Sequence, residues 1–249
     1  MSDGLLLLNR TDRTFKAGFS IIKENLTGLS QYFSLLHPNE RTYLDSLRFD
    51  RRRASYLLGR VAAKHAISRL EEGVGMDAVF IDSGIFQFPV VKSKLLSNVQ
   101  VSITHCDDLG LALAFPEDHP LAVDIEKIDA AQAEAFESQL TAEELRLIAK
   151  VEPEPLIGCV TVWTIKEALS KVLKTGFMID FKVLEIQSLE KSGHCYTSEF
   201  IHCGQYRAVS CRHGDYICSI VLPKQTSCDL NDFWLAFKEV AGMRSSTSE

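Results

Sequence analysis

The stretch Trp163-Thr164-Ile165-Lys166-Glu167-Ala168-Leu169-Ser170-Lys171-Val172-Leu173-Lys174 contains neither Pro nor Gly and stops just short of Gly176, the pattern of a helix closed by glycine. At about 100° per residue, Ile165, Ala168, Leu169, Val172 and Leu173 form one apolar stripe. Glu167, Ser170, Lys171 and Lys174 share the opposite face, with Lys166 at its margin. On its own such a face reads as a solvated one with Glu→Lys pairs at spacing four. A second stretch, Leu121-Ala122-Val123-Asp124-Ile125-Glu126, changes that reading.

Residues two apart on a strand point to one side, so Asp124 and Glu126 project together while Val123 and Ile125 face the core. Like carboxylates side by side repel unless a positive charge lies between them. All-oxygen donors without a nearby imidazole favour Mg²⁺ over zinc. Glu167 can complete the set, with Lys166 and Lys171 beside it to meet anionic oxygens. The arginines Arg51, Arg52, Arg53 and Arg60 gather towards the start of a helix that runs from Arg51 to Ile67, and guanidinium forks suit phosphate. Gly59 in that helix permits close packing. His105 ends a strand that also carries Thr104. Acid ligands, Lys and Arg together point to chemistry on a phosphate or pyrophosphate ester.

Around these elements the chain alternates. The first fifty residues offer a strand at 19–22, helix within 25–36 and a short helix over 39–47. Strands follow at 78–81 and 86–91 with Asp82-Ser83-Gly84 as their turn, then at 99–105, 109–115 and 121–126, the last three spaced as an antiparallel meander. Helical patterns occupy 131–138 and the region opened by the capping box Thr141-Ala142-Glu143-Glu144. Strands return at 182–187, 199–202, 206–212 and 216–222, with a closing helix over 232–241. Two similar α+β halves joined near residues 116–120 fit this order, and no close sequence repeat is visible.

The composition is that of a globular protein, 46% hydrophobic and 24% charged. A net charge of -6 argues against a general nucleic-acid coat protein. No apolar run approaches the ~20 residues of a membrane span, and Leu5–Leu8 is too short for a signal-peptide core. The seven cysteines are odd in number, scattered and without a C-x-x-C, which fits reduced thiols in a cytoplasmic protein better than a disulfide framework. Their spacing to neighbouring His residues matches no standard zinc pattern.

The ordered set Thr104-His105, then Val123-Asp124-Ile125-Glu126, then Trp163-Thr164-Ile165-Lys166-Glu167-Ala168 with Lys171, resembles the 4′-phosphopantetheinyl transferase superfamily. The helix ending Gly59-Arg60-Val61-Ala62-Ala63 is similar to that of its larger monomeric class. Ala122 stands where the family usually has Gly, and Thr104 where it usually has Ser; both departures spare the charged groups. The resemblance implies an α+β fold of two pseudo-symmetric halves, each a small antiparallel sheet packed with helices, with the site in the cleft between them. The halves would span 1–117 and 118–243, followed by a disordered tail, 244–249.

It also implies transfer of the 4′-phosphopantetheine arm of coenzyme A to a serine of an acyl or peptidyl carrier protein, with Mg²⁺ as cofactor and adenosine 3′,5′-bisphosphate released. Asp124, Glu126 and Glu167 would hold the metal. Arg51, Arg53, Arg60, Thr104, His105, Lys166 and Lys171 would contact coenzyme A; which arginines do so depends on helix phase. Glu167 or a metal-bound water would be the base, with Lys171 the other catalytic group. The protein would act as a monomer, without nucleic acid or membrane. The competing classes are a Mg²⁺-dependent nuclease, which needs a longer basic stripe than this chain offers, and a non-catalytic carrier-binding module.

Overall fold

The computed structural model describes residues 1–243 of the 249, and of Phe177 the backbone alone. The expected disordered tail lies outside the described residues. The chain divides into two units, one formed by Met1–Pro120 together with the segment from Ser227 onward, the other by Leu121–Thr226. The architecture is α+β, with small antiparallel sheets packed with helices.

The first unit begins with a hairpin of β1 (Ser2–Asn9) and β2 (Thr14–Lys23). Then come α1 (Leu26–Leu29), α2 (Pro38–Ser46) and the long α3 (Asp50–Leu70), the two-stranded β3 (Phe80–Ser83) and β4 (Pro89–Lys92), and the hairpin of β5 (Val99–Cys106) and β6 (Leu109–Pro116). The main sheet runs β1-β2-β6-β5. β1 escapes sequence reading because Leu5–Leu8 is continuous leucine; only in the fold do Leu6 and Leu8 turn inward and Leu5 and Leu7 outward. α3 lies directly on the sheet. A Cβ on Gly18 would stand 2.0 Å from the Ala66 carbonyl oxygen, and one on Gly59 would stand 3.0 Å from Ile103 Cγ2. Glycine at these two points lets the helix backbone and the sheet approach.

The second unit runs β7 (Ala122–Lys127), α4 (Ala133–Ser138), α5 (Ala142–Val151), α6 (Pro155–Leu173), β8 (Ile186–Ser192), β9 (Cys195–Phe200), β10 (Tyr206–His213) and β11 (Tyr216–Pro223), its sheet ordered β7-β11-β10-β9-β8. The closing helix, α7 (Asn231–Gly242), belongs to the first unit. Phe233 packs edge-on against Phe19, and Lys23 Nζ donates to the carbonyls of Ala241 and Met243. The half expected at 118–243 therefore ends earlier, because the apolar side of α7 is buried on the N-terminal sheet.

One buried device occurs in each unit. In the first, Glu40 closes a capping box on His37, accepts from the Ile81 backbone N–H, and pairs with Lys64 at 2.8 Å, both side chains being fully buried. In the second, Glu144 closes a capping box on Thr141, accepts from the Ile186 N–H, and pairs with Lys166 at 2.5 Å, again fully buried. In both units the lysine comes from the long helix, and the glutamate ties that helix to a short capped helix and to the next strand. Burial pulls both lysines below the usual ammonium range, with the glutamate partner opposing.

Three expectations are corrected. β7 does not extend a meander from β6: it leaves that sheet and pairs with β11. The turn between β3 and β4 lies beyond Ser83, with Gln87 in the left-handed region. Two cysteines are not reduced thiols. Cys195 and Cys211 face each other across the β9–β10 register and form a disulfide, a pairing that sequence spacing cannot show. Among the described residues no helix is long and apolar enough to cross a membrane.

Candidate active site

The acids meet within the second unit. β7 carries Asp124 opposite Ser219 and Glu126 opposite Ile217. α6 crosses β7 and β11, fastened by a 2.7 Å hydrogen bond between the Thr164 and Ser219 hydroxyls. This places Glu167 and Lys171, one turn apart, beside the strand. Lys171 Nζ donates to Asp124 Oδ1 at 2.7 Å and to the Val123 carbonyl at 3.2 Å. The Trp163 indole N–H donates to Glu126 Oε1 at 3.3 Å.

Burial pushes the Glu126 carboxyl up to about 7, and the charge of Asp124 adds to the rise; Trp163 and Lys171 oppose it. Glu167 is likewise pushed up to about 7 by burial first and Asp124 second, with Lys171 opposing and Glu126 adding. Three acids therefore share one field with a single lysine, and the excess negative charge is what a divalent cation would offset. Among the described residues no three His, Cys, Asp or Glu side chains are already gathered into a metal cage. Lys171 sits on Asp124 instead. The all-oxygen donor set, the negative excess and the origin of the donors on one strand and one helix fit a hard divalent ion by chemistry.

A testable pH dependence follows. Glu126 and Glu167 titrate near 7 when folded and near 4.5 when freely solvated, so between those values the folded chain holds protons that the unfolded chain has lost. Stability in the absence of divalent metal should fall as pH rises through that window. Glu167→Gln should raise stability at about pH 8 and flatten the profile, as read by urea unfolding at several pH values. A profile equal in slope to that of the wild type would refute the account.

Lys166 is a correction. It lies about 100° around the helix from Glu167, its ammonium bound to Glu144 and to the Gln139 carbonyl at 3.1 Å. It holds the fold together and cannot reach a cofactor from there. Of the expected polar face, Ser170 is buried, Glu167 and Lys171 are half-buried, and Lys174 is exposed as the left-handed residue that ends the helix.

The remaining expected residues lie in the first unit. Arg51 is exposed. Arg53 donates to the carbonyls of Leu44 and Leu47 at the end of α2. Arg60 lies over the Tyr56 ring at 4.6 Å. Thr104 is buried in β5 and His105 is exposed at its end. Gly59 abuts Ile103, so Arg60 and Thr104 each adjoin that contact. Sequence reasoning missed the bond from Trp163 to Glu126. The available signal was its position four residues before Glu167, on the same helix face.

Residues 120–221 match the family model described as the 4′-phosphopantetheinyl transferase superfamily. The match covers nearly the whole of the second unit. The matched residues contain every acid of the site together with Lys171. Similar solved structures include a holo-(acyl-carrier-protein) synthase from Bacillus anthracis in complex with CoA (3′,5′-ADP). It is 20% identical with TM-score 0.35, over 44% of this chain and 96% of that one. Another is the holo-ACP-synthase of Plasmodium yoelii, 16% identical with TM-score 0.35, over 47% and 97%. A third is the Helicobacter pylori holo-[acyl-carrier-protein] synthase in complex with coenzyme A, 14% identical with TM-score 0.32, over 39% and 96%. A search of curated protein sequences finds no match to this chain.

Proposed function

We propose that this protein is a phosphopantetheinyl transferase, moving the 4′-phosphopantetheine arm of coenzyme A onto a serine hydroxyl of an acyl or peptidyl carrier protein, acting as a monomer with Mg²⁺ and releasing adenosine 3′,5′-bisphosphate. The observation that carries the reading is the group Asp124, Glu126, Glu167 and Lys171, acids in charge excess brought together by β7 and α6. Asp124, Glu126 and Glu167 would hold the ion, which when bound offsets the charge that builds on the leaving phosphate.

The chain's own groups do the rest. Lys171, partly exposed, is a point charge able to turn from Asp124 to a pyrophosphate oxygen. A serine hydroxyl needs a proton acceptor as its oxygen attacks phosphorus. Glu167 is the candidate, a half-buried carboxylate on α6 beside Asp124. Arg51, Arg53, Arg60, Thr104 and His105 would contact the nucleotide phosphates; Lys166, bound to Glu144, would not.

The test is intact-mass spectrometry of apo acyl and peptidyl carrier proteins incubated with the transferase, coenzyme A and Mg²⁺. The expected result is a gain of one phosphopantetheine arm, located on serine. No gain on either carrier class, with coenzyme A intact, would overturn the reading.

A further inference from the structure

Trp163 stands on α6 one turn before Glu167 and faces the strand that carries Glu126. Its ring is fixed on two sides, stacked on Phe181 at 5.1 Å and 18° and tilted against Phe136 at 5.6 Å and 48°. Such packing alone would be served by any large apolar ring. The indole adds a single neutral donor, which can orient an acceptor without cancelling its charge. That donor goes to Glu126 Oε1. Glu126 is repelled by Asp124 two residues earlier and by Glu167 across from it, so an untethered side chain would swing away from both.

We propose that Trp163 is the positioning residue for Glu126. Its N–H pins one carboxylate oxygen, which would leave the other to ligate the ion that Asp124 and Glu167 would also hold. The role rests on the metal-dependent transfer proposed above, and it makes the aromatic residue part of the ion's supporting shell. Such supporting hydrogen bonds typically carry about 10–100-fold in metal affinity.

The test compares the full-length wild type with Trp163→Phe, which keeps a ring between Phe136 and Phe181 but has no N–H, and with Trp163→His, which restores a ring donor. Mg²⁺ binding is measured by calorimetry without coenzyme A. Trp163→Phe should bind about tenfold more weakly with little change in melting temperature, and Trp163→His should fall between it and the wild type. The transfer deficit of Trp163→Phe should close as Mg²⁺ is raised, which a packing defect would not do. In a Glu126→Gln background, Trp163→Phe should have no further effect on Mg²⁺ affinity.

Wild-type affinity in Trp163→Phe, a deficit that Mg²⁺ does not relieve, or additive effects in the double variant would each overturn the role while leaving the transferase reading intact. A wild type that binds no divalent ion and transfers nothing would overturn both.

Discussion

Asp124→Asn should lower phosphopantetheine transfer by at least about a thousandfold while the chain stays folded. The substitution keeps the shape and removes the charge at the point where the other groups converge. Asp124 is the partner of Lys171 and the leading charge that raises both Glu126 and Glu167. Its loss should weaken the hold on a divalent ion and remove the charge contribution, second to burial, that raises both glutamates. The fold should tolerate the change because Lys171 is 26% exposed and can turn its ammonium to water. Initial rates at saturating coenzyme A and carrier protein, with a thermal melt as control, check this. Activity within tenfold of wild type would remove the acid group from the reaction.

Lys166→Met should act on stability instead, at about 3–5 kcal/mol, because it strands Glu144 with its charge fully buried. Glu144 cannot simply find water: one oxygen holds the Ile186 N–H and the other closes the cap of α5. Lys64→Met in the first unit should cost a similar amount, since Glu40 is held in the same way. Urea unfolding measures both. The outcome separates two roles for Lys166 that the motif alone does not distinguish. A residue contacting coenzyme A would raise KM for it at unchanged stability, whereas a core ion pair would lower the unfolding free energy before any kinetic effect appears.

Much of the site was legible because it rests on short-range periodicity. Asp124 and Glu126 are two apart on a strand, and Glu167 and Lys171 are four apart on a helix, so each pair had to share a face. The strands at 99–106 and 109–116, the capping box at Thr141 and the long helix begun by the arginines were equally local. β1 was not legible, because four consecutive leucines have no period. The disulfide was not either, since Cys195 and Cys211 become opposite only when β9 and β10 align.

The sequence by itself determined which residues carry charge, how they are spaced, and that acids and lysines recur at strand and helix intervals suited to phosphate chemistry. Only the tertiary structure decided which of two adjacent helical charges serves the site. Lys166 and Glu167 differ by one residue, yet that step turns one side chain into the core against Glu144 and the other towards Asp124. It likewise decided that α7 returns to the first sheet and that Trp163 reaches Glu126. These depend on what packs opposite each face, and a one-dimensional pattern fixes the direction of a side chain without saying what it will meet.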